Sequence, residues 1–473
     1  MIRPRPGAHI HLIGIAGTAM SALAGLLKDE GYRVTGSDLA IYPPVSTQLA
    51  AMGIPVFEGY SVSHLEPSPN LVVIGNALSR GNEEIEAVLD GKLPYVSMPE
   101  ALREIFLGGL ETIVVAGTHG KTTVTSILSW IFQSAGLAPG FLIGGLPLNF
   151  PRSFHKGVGA HFILEGDEYD TAFFDKGPKF LHYRPDSVIL TSVEYDHADI
   201  YADLEAVQTA FRRLVNLVPR RGFIIARAES ETVRQCLTNA FCEVETYGFE
   251  EGEWRASDVR CHDETTEFAV SYRGTELGRL EMDLSGEHNV MNVLAAVALS
   301  RHYGISWEQI AQAVETFLGV RRRLEVVGEV AGVTVIDDFA HHPTAIRETL
   351  KAARARFPGR RLWALLEPRS NTLRRNIFET QLGDALALAD CVVVADVYRK
   401  EKISGTQRLD PLKVLESLRQ RGIAADMGGS ASEIVAAILP RFQPGDVVIV
   451  MSNGGFGGIH QLLLQGLGRS KTG

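Results

Sequence analysis

Cysteine is scarce in this 473-residue chain: only Cys236, Cys242, Cys261 and Cys391 occur. Their spacings form no CxxC or other ligand-like pattern, so neither structural zinc nor a disulfide framework is expected, and a reducing cytoplasm fits. No stretch approaches the ~20 apolar residues that a membrane-spanning helix requires, so no membrane partner is expected. An excess of positive charge is also missing: 46 Lys and Arg stand against 56 Asp and Glu, a net charge of −10. That balance argues against a nucleic-acid partner, and it means that anionic ligands must be held by local sites. Internal repeats and low-complexity tracts are absent as well. The start, with Arg3 and Arg5 before HIHLIGIAGTAMSALAGLL, superficially resembles a signal peptide. His9, His11, Gly14 and Gly17 interrupt the apolar run, however, and it continues through Lys28 to Gly31 into strand-like residues with no coherent cleavage region, so none is expected.

What is present is enough chain for about three domains at ~150 residues each, and a phosphate cradle in the first third. Thr112 to Ser126 reads TIVVAGTHGKTTVTS. Ile113 to Ala116 predict a buried strand, Gly117 to Thr123 a tight turn, and the following residues a helix through Trp130. Glycines let backbone N–H groups close on phosphate oxygens, and the helix start adds a positive dipole. Lys121 is placed to reach the β- and γ-phosphates, and the Thr122 hydroxyl to ligate magnesium. The match to GxxxxGK[ST] is imperfect, because Val115 stands at the first glycine position. An ordinary strand-to-helix turn is the alternative.

Upstream, short apolar runs alternate with helical patterns, as in parallel α/β layers. Ile10 to Gly14 predict a strand, Met20 to Gly31 a helix and Tyr32 to Gly36 a second strand, with Asp38 about 20 residues beyond the Gly14–Gly17 turn. That geometry fits NAD, a nucleotide diphosphate, or a turn needed only for packing. Leu71 to Gly75 predict a further strand whose polar loop, including Asn76 and Asn82, lies where open α/β sheets bind ligands.

Downstream, the strands predicted at His161–Leu164 and Ser187–Thr191 deliver two acidic clusters, EGDEYD from Glu165 and EYDHAD from Glu194. Hard cations prefer carboxylate and phosphate oxygen, so Glu165 and His197 are candidate magnesium ligands; solvated loops are the alternative reading. Asn289 and Asn292 share a helix face, where they either hydrogen-bond a purine or cap the helix. The basic run Gly319–Arg323 is a linker or a phosphate contact. Three strands of the last third, Val333–Ile336, Leu362–Leu366 and Val447–Met451, lead into Asp337–Thr344, Glu367–Asn371 and Ser452–Gly458, a candidate second-substrate edge. Asp337 and His342 can alternatively cap the helix that follows.

GTHGKTT, EGDEYD, EYDHAD, GEHNVMN from Gly286, RRRLE from Arg321 and DDFAHHPT from Asp337 together resemble the Mur ligases of bacterial peptidoglycan synthesis over nearly the whole chain. The resemblance implies an α/β, three-domain Mur ligase architecture. A Rossmann-like amino-terminal domain (1–108) would hold a UDP-sugar, a P-loop ATPase domain (109–320) ATP and Mg2+, and a Rossmann-like carboxyl-terminal domain (321–473) the amine. IGNALSRGN, EPRSNT and MSNGGFGGIH resemble the branch that joins a murein tripeptide, rather than L-alanine, to UDP-N-acetylmuramate through an acyl phosphate. Carried over by position, Lys121, Glu165, His197 and His341 are the expected catalytic residues, and Thr122, Glu165 and His197 the metal ligands. Gly117, Thr118, His119, Gly120, Lys121, Thr122 and Thr123 would surround the phosphates. His288, Asn289 and Asn292 would lie near adenine, and Arg323 and Asp338 would approach ATP.

Substrate contacts are expected from Gly14, Ile15, Ala16, Gly17, Thr18, Ala19, Met20 and Ser21, with Asp38, Asn76, Asn82, Asp167 and Glu168. Arg369, Ser452, Asn453 and Gly454 would hold the peptide's carboxylates. Some relatives carry a carbamylated lysine that Phe211-Arg212-Arg213 replaces here, so no such modification is expected. The expected assembly is a monomer or weak homodimer. Two rival classes remain: a NAD-dependent oxidoreductase, which leaves the GTHGKTT cradle unexplained, and a P-loop switch, which would hydrolyse ATP without forming an amide.

Overall fold

A computed structural model describes residues 3–42, 45–262 and 265–469. The outer ends of the first and third expected domains, residues 1–2 and 470–473, lie outside the described residues.

The first sheet is five-stranded and parallel, in the order Val56–Glu58, Arg33–Asp38, His9–Ile13, Leu71–Ile74, Tyr95–Ser97. Both faces of its central strands are buried, so Leu71–Ile74 reads as an unbroken apolar run, whereas His9 and His11 interrupt His9–Ile13 and are buried with their rings bonded to Thr35 Oγ1. Thr18–Asp29 begins earlier than its apolar pattern predicts, because Gly17 can act as an N-cap in extended conformation. Asp38 is the last residue of the second strand.

The central sheet has ten strands. Ser187–Leu190, Glu111–Ala116 and His161–Gly166 are neighbours near its middle, paired parallel. Their carboxyl ends therefore open side by side. Helix Lys121–Ser134 leaves the central one of these strands and packs on helix Glu287–His302, which is buried from Asn289 to Ser300. That burial is why the second helix shows small and apolar residues on every side. At the far edge, Trp254–His262, Thr265–Tyr272 and Thr275–Met282 form an antiparallel meander.

The third sheet is six-stranded, in the order Glu325–Val330, Val333–Asp338, Val447–Met451, Leu362–Leu366, Cys391–Val394, Ala424–Met427, with only the first pair antiparallel. Separate apolar clusters cover its two faces. The loops at the carboxyl ends of its strands contact the loops of the central sheet. Asn371 Nδ2 donates to Asp199 Oδ2 (2.7 Å), the Ala198 N–H to Thr372 Oγ1 (3.2 Å), and Thr344 Oγ1 to Glu194 Oε2 (2.7 Å). All four cysteines are free, and no helix among the described residues is long and apolar enough to cross a membrane.

Candidate active site

The turn from Gly117 to Gly120 is shaped by what surrounds it. Gly117 has φ +135°, and a Cβ there would come within 2.1 Å of Thr191 Oγ1; Gly120 has φ +82°, and a Cβ there would meet Asn292 Oδ1 at 2.5 Å. Both positions thus require glycine for backbone shape and for space. No side chain caps the helix that starts at Lys121, so its first N–H groups remain available to an anion.

Lys121 Nζ donates to the Gly117 carbonyl (2.6 Å) and to Glu168 Oε2 (2.9 Å). Burial works against its ammonium, but Glu168, then Asp167, hold its pKa above the ordinary value. Thr122 Oγ1 donates to Glu165 Oε2 at 3.1 Å, and the Gly144 N–H donates to Oε1 at 2.5 Å. Glu165 is almost fully buried, and that burial, reinforced by Asp167, pushes its carboxyl up to about 7.

His197, at φ +53°, brings Nε2 to 3.5 Å from the other Glu168 oxygen. Burial opposes the imidazolium, yet the bond and charge of Glu168 raise its pKa. Glu168 itself falls to about 2: burial disfavours its charge, and Lys121 and His197 more than compensate. The structure therefore brings Lys121, Thr122, Glu165 and His197 together at three adjacent strand ends. A cleft of about 490 Å3 lies beside them, lined by Asn76, Tyr169, Lys176, His197, Asp199 and Asn371 among others, so all three sheets contribute to its wall.

Several expected contacts have other duties. Glu168, read as a substrate ligand, is 2 % exposed and links Lys121 to His197 instead. Asp167 turns toward Lys179 (3.3 Å). Asn289 and Asn292 do share a face, but Asn292 Nδ2 donates to Asn289 Oδ1 (3.1 Å) and Asn289 Nδ2 to the Ser285 carbonyl (2.9 Å). They brace the helix against the phosphate turn at Gly120, whose added Cβ would meet Asn292 Oδ1. His288 is held down to about 4, chiefly by burial.

Asp338 is buried, and its carboxylate accepts from the Leu324 and Ala340 N–H groups and from Thr349 Oγ1, so it fixes the linker. Arg323 lies over the Phe339 ring (5.1 Å), and the charge of Glu165 is felt there. His341 Nδ1 bonds the Phe339 carbonyl (2.9 Å). Thr118 is tied to the Glu194 loop, accepting from the Glu194 N–H at 2.8 Å, while the His119 N–H donates to Ser192 Oγ (3.0 Å). Thr123 is buried inside the helix.

At the amino-terminal turn, Ile15 and Met20 are core residues, and the N–H and hydroxyl of Ser21 bond back to Gly17 and Thr18. Gly17 and Thr18 are exposed, so their backbone groups and the Thr18 hydroxyl are open to a diphosphate, while the Ala16 N–H is taken by Asp38. Asp38 accepts from the Ala16 N–H (2.8 Å) and the Leu39 N–H, so it shapes the Gly14–Gly17 turn and is not a free ribose ligand. The Asn82 oxygen caps helix Glu83–Asp90, whereas Asn76 does line the cleft.

In the third domain Ser452 is buried, and its hydroxyl donates to Glu367 Oε2 (2.5 Å). Gly454 lies against the Arg369 guanidinium, which stacks 3.8 Å from the Tyr398 ring. Asn453 Oδ1 is buried without a partner.

Sequence reasoning missed two members of the site. One is the Gly144 N–H on Glu165, signalled only by the glycine pair after a strand. The other is the set His119, Glu194 and His342, whose ligand atoms converge although the residues lie far apart in sequence.

Comparison with known proteins agrees with this geometry. Residues 9–108 match the family description "Mur ligase family, catalytic domain", 115–300 "Mur ligase middle domain" and 322–454 "Mur ligase, glutamate ligase domain". The chain is 44% identical over 97% of its length, and 98% of the relative's, to UDP-N-acetylmuramate–L-alanyl-γ-D-glutamyl-meso-2,6-diaminoheptandioate ligase of Escherichia coli K12. It is 35% identical over 94% of its length, and 92% of the relative's, to UDP-N-acetylmuramate–L-alanine ligase of Salinibacter ruber. A murein peptide ligase structure from Psychrobacter arcticus 273-4 superposes with TM-score 0.74 at 38% identity, covering 98% of this chain and 99% of that one. The chain belongs to the Mur ligase family.

Proposed function

We propose that the protein is an ATP-dependent carboxylate–amine ligase of peptidoglycan recycling. It would join the tripeptide L-alanyl-γ-D-glutamyl-meso-diaminopimelate to UDP-N-acetylmuramate through an acyl phosphate. The observation that carries this reading is the 44% identity, spread over 97% of the chain, with the E. coli ligase of that name. The convergence of Lys121, Thr122, Glu165 and His197 at adjoining strand ends supports it independently.

The residues present fit the groups this reaction needs. Thr122 and Glu165 offer hard oxygen donors side by side, and a divalent magnesium ion would favour the ionised form of a carboxyl that burial otherwise lifts to about 7. His197 is a further candidate ligand. Lys121 would exchange the Gly117 carbonyl for phosphate oxygens, stabilising charge that develops on the transferred phosphoryl group. Glu168 keeps that ammonium and the His197 imidazole in register. Closure of the cleft walled by loops of the three large sheets would keep water from a hydrolysable acyl phosphate. Residues 1–108 would hold the UDP-sugar, 109–320 the nucleotide and 321–473 the amine. The four free thiols suit a cytoplasmic setting.

ADP release that requires both UDP-N-acetylmuramate and the tripeptide, with the ligated UDP-sugar identified by mass spectrometry, tests the assignment. Lys121→Ala is expected to abolish ligation while the protein still folds; near-normal product from that variant refutes the role of the cradle. The L-alanine ligase is the second reading, favoured by the 35% identity with the S. ruber enzyme. Offering L-alanine and tripeptide in competition separates them, and the tripeptide adduct is expected to dominate.

A further inference from the structure

Three segments that contribute to no single motif meet where the central and third domains touch. His119 comes from the phosphate turn, Glu194 from the loop after strand Ser187–Leu190, and His342 from the residue that caps helix Pro343–Arg356. His119 Nε2 lies 3.4 Å from Glu194 Oε2, and His342 Nδ1 lies 3.8 Å from the same oxygen. All three ligand atoms fall within 4.8 Å of one another. Ligands bound at ~2.0–2.1 Å in a tetrahedron stand roughly 3.4 Å apart along its edges. The two histidine–glutamate distances lie within a few tenths of an ångström of that spacing, and the two imidazole nitrogens, within 4.8 Å of each other, draw closer as an ion binds between them.

The surroundings prepare these atoms for a cation. His119 Nε2 is buried and makes no hydrogen bond of good geometry; its polar neighbour is Glu194 Oε2 at 3.4 Å. His342 Nε2 faces the Tyr195 carbonyl at 3.3 Å, which requires the proton on Nε2 and leaves Nδ1 unprotonated, 3.8 Å from Glu194 Oε2. That nitrogen otherwise receives only a long bond from the Thr344 N–H, 3.3 Å. Thr344 Oγ1 donates to the Glu194 oxygen at 2.7 Å and so orients it from outside, as outer-shell partners of metal ligands do. Burial, followed by the neighbouring His119, keeps the His342 imidazole neutral, with its pKa down to about 4. Burial opposes the charge of Glu194, yet His119 first and then Thr344 and His342 bring it down to about 2, leaving an ionised carboxylate between two imidazoles.

We propose that His119 Nε2, Glu194 Oε2 and His342 Nδ1 form a binding site for a zinc-class divalent transition ion that fastens the third domain to the phosphate turn. Two imidazoles and one carboxylate are a borderline-soft set, which favours zinc, cobalt or nickel over magnesium. The site is distinct in its donors from the oxygen-rich pair Thr122 and Glu165, and it does not depend on the ligase reading. Three protein ligands leave a fourth position open to water. Because Glu194 and His119 belong to the central domain and His342 to the third, occupancy holds the two closed on each other.

Titration of the full-length, chelator-treated protein with Co2+ alone tests this. A single equivalent is expected to bind with the intense visible absorption of a four-coordinate centre, to be displaced by Zn2+, and to resist millimolar-range Mg2+. Glu194→Gln and His119→Asn are each expected to weaken binding by more than the ~10–100-fold that loss of an outer-shell partner costs, and Thr344→Ala by about that smaller amount. His197→Ala should leave Co2+ affinity unchanged. Thermal melts establish that each variant is folded, and His342→Gln provides another ligand substitution if one of the others is not. Affinity indifferent to Glu194→Gln and His119→Asn, loss on His197→Ala, or a weak six-coordinate spectrum overturns the proposal.

Discussion

Lys121 Nζ stands 2.9 Å from one oxygen of Glu168, whose other oxygen faces His197 Nε2 at 3.5 Å. One buried carboxylate thus joins the cation of the phosphate cradle to the candidate metal histidine. Glu168→Gln preserves the shape and removes the shared charge. The variant is expected to lose about 10- to 1000-fold in kcat, the range typical for removing a preorganised electrostatic partner. Without that carboxylate the His197 pKa should fall below its raised value, which an imidazole NMR titration reads. Unchanged kcat together with an unchanged His197 titration would sink the idea.

Glu165 gives a pH signature. Its folded-state pKa of about 7 lies above the ordinary carboxyl value of 4.5, so the native protein holds its proton where the unfolded chain releases it. Ionisation therefore opposes folding: the penalty is absent below about 4.5, grows between 4.5 and 7, and is complete above 7. At about 1.4 kcal/mol per pH unit, that displacement bounds the effect at roughly 3 kcal/mol. In metal-free protein, Glu165→Gln should gain Tm relative to wild type as pH rises from 5 to 8. Adding Mg2+ to wild type should flatten the difference. Parallel Tm curves for the two proteins would show that Glu165 titrates normally.

Much of this architecture is legible in the residues, for reasons that differ by region. Leu362–Leu366 and Val447–Met451 are buried on both faces, so their apolar runs mark strand ends directly. The meander Trp254–Met282 is half-solvated and rich in Arg and Glu, such as the Arg279–Glu267 pair, and no apolar run marks it. Glycine and lysine spacing identifies the phosphate turn because backbone shape demands it. What Glu168, Ser452 and Asp338 do depends on which way a loop bends and on what buries them, and spacing carries neither. Asp38 shows the same limit: an acidic residue about 20 positions past a glycine turn fits a ribose contact, yet it serves the turn's own N–H groups.

Gly117 is tested against a glycine that has room. Gly117→Ala places a methyl 2.1 Å from Thr191 Oγ1, and Thr191 is itself held by its 2.6 Å bond to the His119 carbonyl. Backbone strain alone costs about 1–3 kcal/mol in such a conformation, and the clash distorts the turn. Stability should fall and nucleotide binding should be lost by calorimetry. Gly136 also has positive φ, but nothing lies within 4 Å of an added Cβ. Gly136→Ala should therefore lose only about 1 kcal/mol and bind nucleotide normally. Equal nucleotide affinity in both variants would mean that the close approach at Gly117 is irrelevant to binding.

The contacts between the third domain and the His197 loop predict a kinetic coupling. Asn371 Nδ2 donates to Asp199 Oδ2 at 2.7 Å, its oxygen accepts from Arg374 at 2.5 Å, and the next residue, Thr372, receives the Ala198 N–H. The loop bearing His197 is thus gripped from the domain proposed to bring the amine. Removing one such bond from a partly exposed seam costs about 0.5–1.5 kcal/mol. Asn371→Ala should accordingly lower kcat/KM for the tripeptide by about 2- to 12-fold. Nucleotide affinity, set by the backbone of the cradle, which Asn371 does not bond, should stay unchanged. Asp199→Ala should have a similar effect, and the double variant should be little worse than either single one, because each removes the same bond. Full additivity of the two losses would show that the residues act separately, leaving the third domain without a hold on His197 through this pair.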